Sequence, residues 1–122
     1  MTIDISTAIQ SLNTKGGNSH EYVMTGTPNS ESEWVSNVKF ISGSDANGTA
    51  IFSDVQAYSW AEVSAELTSL QSSYDANAYQ RSRAVAYPSI QDQLDMQYHD
   101  TVDGTTTWKD ALATVKSDNP KP

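Results

Sequence analysis

The sequence predicts an α+β fold: a small antiparallel sheet of about three strands, one long helix and a C-terminal pair of helices. Three observations carry that prediction. Short strand-like runs bounded by turn residues fill residues 20–54. A pattern of apolar residues spaced three and four apart begins at Trp60. Two shorter helical patterns follow Pro88, separated by a glycine-bearing loop.

The elements follow in order. In "DISTAIQSLN", Ile5, Ala8, Ile9 and Leu12 recur at helical spacing, and Asp4 is placed to cap the start. "NTKGGNS" reads as a loop. "HEYVMTG" is strand-like, and "TPNSESE" reads as a connection with Pro28 in a turn. "EWVSNVKFIS" alternates, with Trp34, Val38 and Phe40 on one face and Val35 and Ile41 on the other, which predicts a half-buried strand. "GSDANGT" supplies a hairpin signal at Asn47-Gly48, and "TAIFSD" closes a third strand in meander order.

Ser59-Trp60-Ala61-Glu62 fits a capping box: the serine hydroxyl takes an orphan amide and the glutamate reaches back. Trp60, Val63, Leu67, Leu70 and Tyr74 then step by three and four along one helix face. Arg81 and Arg83 suit a C-terminal end, and Pro88 ends the helix, so one helix is expected over about residues 60–86. Such a helix is nearly 40 Å long, more than three short strands cover. Its distal half, with Tyr79, Arg81 and Val85, needs the C-terminal helices or another subunit. The seam of Trp60, Val63, Leu67, Leu70 and Tyr74 is therefore the expected partner-binding face of a homo-oligomer.

Ser89-Ile90-Gln91-Asp92 resembles a second capping box, and Ile90, Leu94 and Tyr98 share one face of the helix it opens. "DTVDGTTT" reads as a loop. Thr107-Trp108-Lys109-Asp110 repeats the capping pattern, with Trp108, Leu112 and Val115 along the inner face of a last helix. The expected organisation is one domain over residues 1–122. Residues 1–58 form the first helix and the meander, residues 59–118 the helical part, and residues 119–122 a flexible tail.

Composition narrows the function. Fifteen acidic residues against seven basic ones give a net charge of −8, and mean hydropathy is −0.53. The cations form no stripe, so no nucleic-acid interface is expected. Without cysteine there is no thiolate nucleophile, disulfide or zinc–thiolate site. No stretch approaches the ~20 apolar residues of a membrane span, and the N-terminus has no basic region followed by an apolar run. No membrane partner and no secretory signal are expected, and the Asn47-Gly48-Thr49 sequon is read as chance.

Catalytic signatures are weak. His20 and His99 are the only histidines, and no G-x-S-x-G elbow accompanies them. Asp92, Asp95 and His99 lie on roughly one helix face and are the best candidates for a metal or ligand. Asp92 and His99 are two turns apart, about 10 Å, too far for one ion. "SGSDANG" lacks the spacing and closing glutamate of a calcium loop, and "NTKGGNS" lacks the Gly-Lys-Ser/Thr of a phosphate loop. The expectation is no enzyme, no cofactor and no metal, with a small acidic regulatory or ligand-binding module as the alternative.

Residues 87–98, "YPSIQDQLDMQY", followed by "GTTTW" at residues 104–108, resemble a C-terminal segment of small tail-region proteins of tailed bacteriophages, notably myoviruses of marine cyanobacteria. The "DIxxAIxxL" start and "WAEVxAELxxLQ" match the same group more loosely, and residues 38–54 are longer than its pattern. The resemblance implies a virion-associated or tail-fibre assembly protein. It would act by contacts with itself or with other tail or fibre proteins, in the host cytoplasm during assembly or in the virion. It brings no catalytic residues.

Overall fold

The computed structural model describes residues 3–122. Its elements are α1 (Ile5–Gly16), β1 (Tyr22–Met24), α2 (Glu31–Asn37), β2 (Val38–Ser44), β3 (Ala50–Phe52), α3 (Trp60–Ala76), α4 (Ala78–Ala86), α5 (Ile90–Asp103) and α6 (Thr107–Asp118). The class is α+β, as the strand runs and helical spacings predict. The packing forms two compact units, the first running to Ser72 and the second from Ser73 to Pro122.

The first unit holds the sheet. Asp4 caps α1, its Oδ1 accepting from the Thr7 amide at 2.9 Å. Ile5, Ala8 and Ile9 are buried along one face of that helix, as their spacing requires. The strands run antiparallel in the order β1-β2-β3, with Tyr22 opposite Phe40 and Met24 opposite Val38. The β2–β3 pairing is irregular between Ile41 and Gly43. The turn between β2 and β3 lies where Asn47-Gly48 signalled it. Asp45 organises it, its Oδ1 accepting from the amides of Asn47 and Thr49, and Gly48 takes the positive φ of 82°.

Two predicted elements of this unit are different. The first helix runs on to Gly16, so the first four residues of the expected "NTKGGNS" loop are helical. "EWVSNVKFIS" is not a continuous strand: residues 31–37 are α2, and the strand starts at Val38. Ser30 starts the helix, its hydroxyl accepting from the Glu33 amide at 3.3 Å, and Glu33 reaches back to the Asn29 amide at 2.9 Å. Trp34 and Val38 are four residues apart, a spacing that suits one face of a helix as well as one face of a strand. Trp34, Val38 and Phe40 are all buried, so the apolar side was legible although the backbone was not.

The core of this unit gathers Ile5, Ala8, Ile9, Trp34, Val38, Phe40, Tyr58 and Val63. The rings of His20, Tyr22, Trp34 and Tyr58 surround Phe40 at centroid distances of 5.9 to 6.3 Å, except that His20 also meets Tyr58 at 5.5 Å. Trp34 Nε1 donates to the Tyr58 carbonyl at 3.1 Å, and the Tyr58 hydroxyl to Asn13 Oδ1 at 2.7 Å. Gln56 Nε2 donates to the Val38 carbonyl at 3.0 Å, while its Oε1 is buried with no hydrogen-bond partner.

The second unit is wholly helical and has no fully buried residue. The helix expected over residues 60–86 is interrupted at Asn77, whose φ of −95° and ψ of 6° leave the helical region. Arg81 Nη1 donates to the Tyr74 carbonyl at 2.8 Å and its guanidinium stacks 3.6 Å from the Tyr74 ring centroid. The "DTVDGTTT" loop is also shorter than expected. The helix α5 continues to Asp103 and stops where Gly104 adopts a left-handed φ of 69°.

Candidate functional site: the outward face of α5

Two faces bear on function: the seam that starts at Trp60 and the surface of α5. The seam is largely occupied within its own unit. Ser59 and Glu62 form the expected capping box, with the Glu62 amide on Ser59 Oγ at 3.2 Å and the Ser59 amide on Glu62 Oε2 at 2.8 Å. That start directs Val63 into the core, where it is fully buried. Trp60, Leu67 and Leu70 pack half-buried against the same core. Glu66, beside them on α3, is buried too, and accepts from the Ser11 hydroxyl at 2.6 Å and from Lys15 Nζ at 2.6 Å. Those donors, Lys15 first and Ser11 second, hold its carboxyl below the ordinary carboxylate value. Tyr74 is the seam residue farthest along, and it carries Arg81 over its ring.

The distal helical half has a partner in the second unit. Arg83 Nε donates to the Asn119 carbonyl at 2.8 Å and Nη2 to the Lys116 carbonyl at 3.3 Å. A guanidinium thereby satisfies carbonyls at the C-terminal end of α6, where the helix leaves them without amides. Val85, on the same short helix, is exposed.

The α5–α6 pair is joined by polar contacts. Asp100 lies on the side of α5 that faces α6. Its Oδ1 accepts from the Thr105 hydroxyl at 2.6 Å, the Thr107 hydroxyl at 2.6 Å and the Thr107 amide at 2.9 Å, and its Oδ2 from the Trp108 amide at 2.9 Å. The residue that caps α6 is therefore Asp100, from the preceding helix, rather than Thr107 as its own sequence pattern suggested; Thr107 is the first helical residue. The hydroxyls of Thr105 and Thr107, then the amides of Trp108 and Thr107, hold the Asp100 carboxyl far below the ordinary carboxylate range. Gln93, two turns earlier on the same face of α5, accepts from Trp108 Nε1 at 3.2 Å. Gln93, Met96 and Asp100 are the half-buried residues of α5, and they face Trp108, Ala111, Leu112 and Val115, the half-buried residues of α6.

With that polar face turned inward, the apolar row of α5 points the other way. Ile90, Leu94, Tyr98 and Val102 recur every four residues, and they are 69%, 60%, 66% and 63% exposed. At about 1.5 Å per residue the row is about 18 Å long. The shared face of Ile90, Leu94 and Tyr98 was legible in the sequence. That it points to solvent was not, because the inward contacts are made by Gln93 and Asp100, which look like surface residues when read alone.

The metal candidates lie alongside. His99 Nε2 is 3.6 Å from Asp95 Oδ1, and Nδ1 is 3.8 Å from Asp103 Oδ2, one turn to either side. Asp92 belongs to neither pair. Among the described residues, no three His, Cys, Asp or Glu side chains gather closely enough to hold a metal ion. Among the same residues, no helix is long and apolar enough to cross a membrane. No protein-family model matches the chain, and neither a curated protein nor a solved structure does.

Proposed function

We propose that the protein works by binding another protein, as a tail-fibre assembly or virion-associated factor of the kind its C-terminal segment resembles, and that the outward face of α5 makes the contact. The observation that carries this reading is the row of four large apolar side chains held outward on a helix whose other side is fastened to α6. A contiguous exposed apolar row costs solubility and is a common mark of a protein-binding surface. The row falls within the segment that carries the resemblance, residues 87–98 and just beyond. The seam residues Val63, Leu67 and Leu70 serve the core of the first unit, so the contact is assigned to α5 and does not require self-association through the seam.

The test is co-expression with any tail-fibre proteins encoded in the genome that carries this chain. The wild type is expected to co-purify with one of them, and a Leu94→Ser, Tyr98→Ser variant with unchanged helicity to lose it. No co-purification with any of them removes the tail-fibre reading; equal capture by the variant removes α5 as the contact.

A further inference from the structure

The chemistry beside the apolar row specifies the partner more closely, and this step rests on the reading of α5 as a protein-binding face. Asp95, His99 and Asp103 form a second row that follows Leu94, Tyr98 and Val102 one residue later, so the two rows run side by side. The side chains of Asp95 and Asp103 are 73% and 60% exposed. Asp92 extends the same flank. The opposite flank, with Gln97 and Thr101, is uncharged, and α5 contains no lysine or arginine. The whole chain carries a charge of −8.

We infer that α5 binds an amphipathic helix of another protein whose apolar row is bordered on one side by lysine or arginine. The apolar rows would interdigitate over the length of α5, and the cations would stand opposite Asp92, Asp95 and Asp103. A second copy of this chain answers the surface poorly. Antiparallel pairing of α5 with its copy sets acidic flank against acidic flank, and parallel pairing sets it against Gln97 and Thr101; neither supplies a cation. Like charges placed together are a strong device against a wrong partner, and opposite charges both steer and select the right one. The acidic flank thus gives the face its specificity, while the apolar row gives most of the contact area.

The experiment uses three synthetic helical peptides with the full chain, titrated by calorimetry. The first has leucines spaced three and four apart with lysines along one side; the second has glutamates in place of the lysines; the third has the first one's composition in scrambled order. The lysine peptide is expected to bind one-to-one, with affinity at least about tenfold above the other two. Binding should weaken by at least about tenfold in Leu94→Ser, Tyr98→Ser and in Asp92→Asn, Asp95→Asn, Asp103→Asn, and weaken with added salt. Equal binding of the scrambled peptide, or no effect of the serine variant, would mean attraction by net charge alone and overturn the inference. Equal binding of the glutamate peptide would overturn the charge selection while leaving α5 as a protein-binding face. A dimer in light scattering that the serine variant abolishes would make a second copy the occupant. Association with phosphatidylcholine vesicles lost in that variant would make the row a lipid contact. Either result overturns the inference as well.

Discussion

Val63 and Leu94 are both aliphatic residues on helices, and the fold assigns them opposite fates. Val63 is fully buried against the core of the first unit, whereas Leu94 is 60% exposed on α5. Val63→Ala removes two methyl groups from that core. At about 0.8 kcal/mol per buried carbon the transfer loss is about 1.6 kcal/mol. The space left behind adds up to about 1 kcal/mol if the neighbours do not close in. The expected cost is therefore about 1.5–2.5 kcal/mol, which for a unit of this size lowers the melting temperature by roughly 10 °C. Leu94→Ala removes more carbon atoms yet should change stability by less than about 0.5 kcal/mol. Urea unfolding is the assay. In a Trp108→Phe background the remaining tryptophans, Trp34 and Trp60, both report the first unit, and circular dichroism follows the helices for Leu94→Ala. The midpoint should move at constant slope. If Leu94→Ala costs as much as Val63→Ala, the row on α5 is core, and the reasoning that makes it a contact face is refuted.

Other residues give equally definite expectations. Ser30→Ala should cost about 1 kcal/mol by uncapping α2, seen as a lower urea midpoint for the first unit; no change would mean that the helix does not depend on this cap. Lys15→Met leaves Glu66 buried with Ser11 as its remaining partner and should cost about 1–3 kcal/mol, measured in the same assay, with Ser11→Ala adding to the loss. Asp100 gives the pH dependence of the second unit. Its folded carboxyl titrates below its ordinary value of 3.8, so between those two points the unfolded chain binds the proton and the folded chain does not. Its stabilisation is therefore complete above about pH 4 and lost as the pH falls further. Asp100→Asn should remove that acid limb and expose the amides of Thr107 and Trp108 to faster hydrogen exchange at neutral pH.

How much of this was legible depends on how far each signal reaches along the chain. Local signals read well: Asp4 capping α1, Ser59 with Glu62 opening α3, and Ser89 accepting from the Asp92 amide at 3.1 Å. Ser30-Glu31-Ser32-Glu33 has the same capping pattern, and it was the signal that could have placed a helix at Trp34. The alternation of Trp34, Val38 and Phe40 outweighed it, because a four-residue spacing fits both periods. Long-range contacts could not be read. Nothing in "DTVDGTTTW" announces that Asp100 reaches forward to cap the next helix, nor that Arg81 closes the break at Asn77 by taking the Tyr74 carbonyl. Those two contacts decide where α4 begins and which side of α5 is inward. The outward row depends on the Asp100 contact, so the candidate surface was visible as a spacing and invisible as a surface.

The central claim is that the apolar row of α5 is a protein-binding face and not part of the folding core. The most direct measurement is the dissociation constant of the chain with the lysine-bearing helical peptide, for the wild type and for Leu94→Ser, Tyr98→Ser, with the melting temperature read on the same preparations. The account predicts that the dissociation constant rises by at least about tenfold, equivalent to about 1.4 kcal/mol, at an unchanged melting temperature. An unchanged dissociation constant, or one that rises only as the variant unfolds, would contradict it.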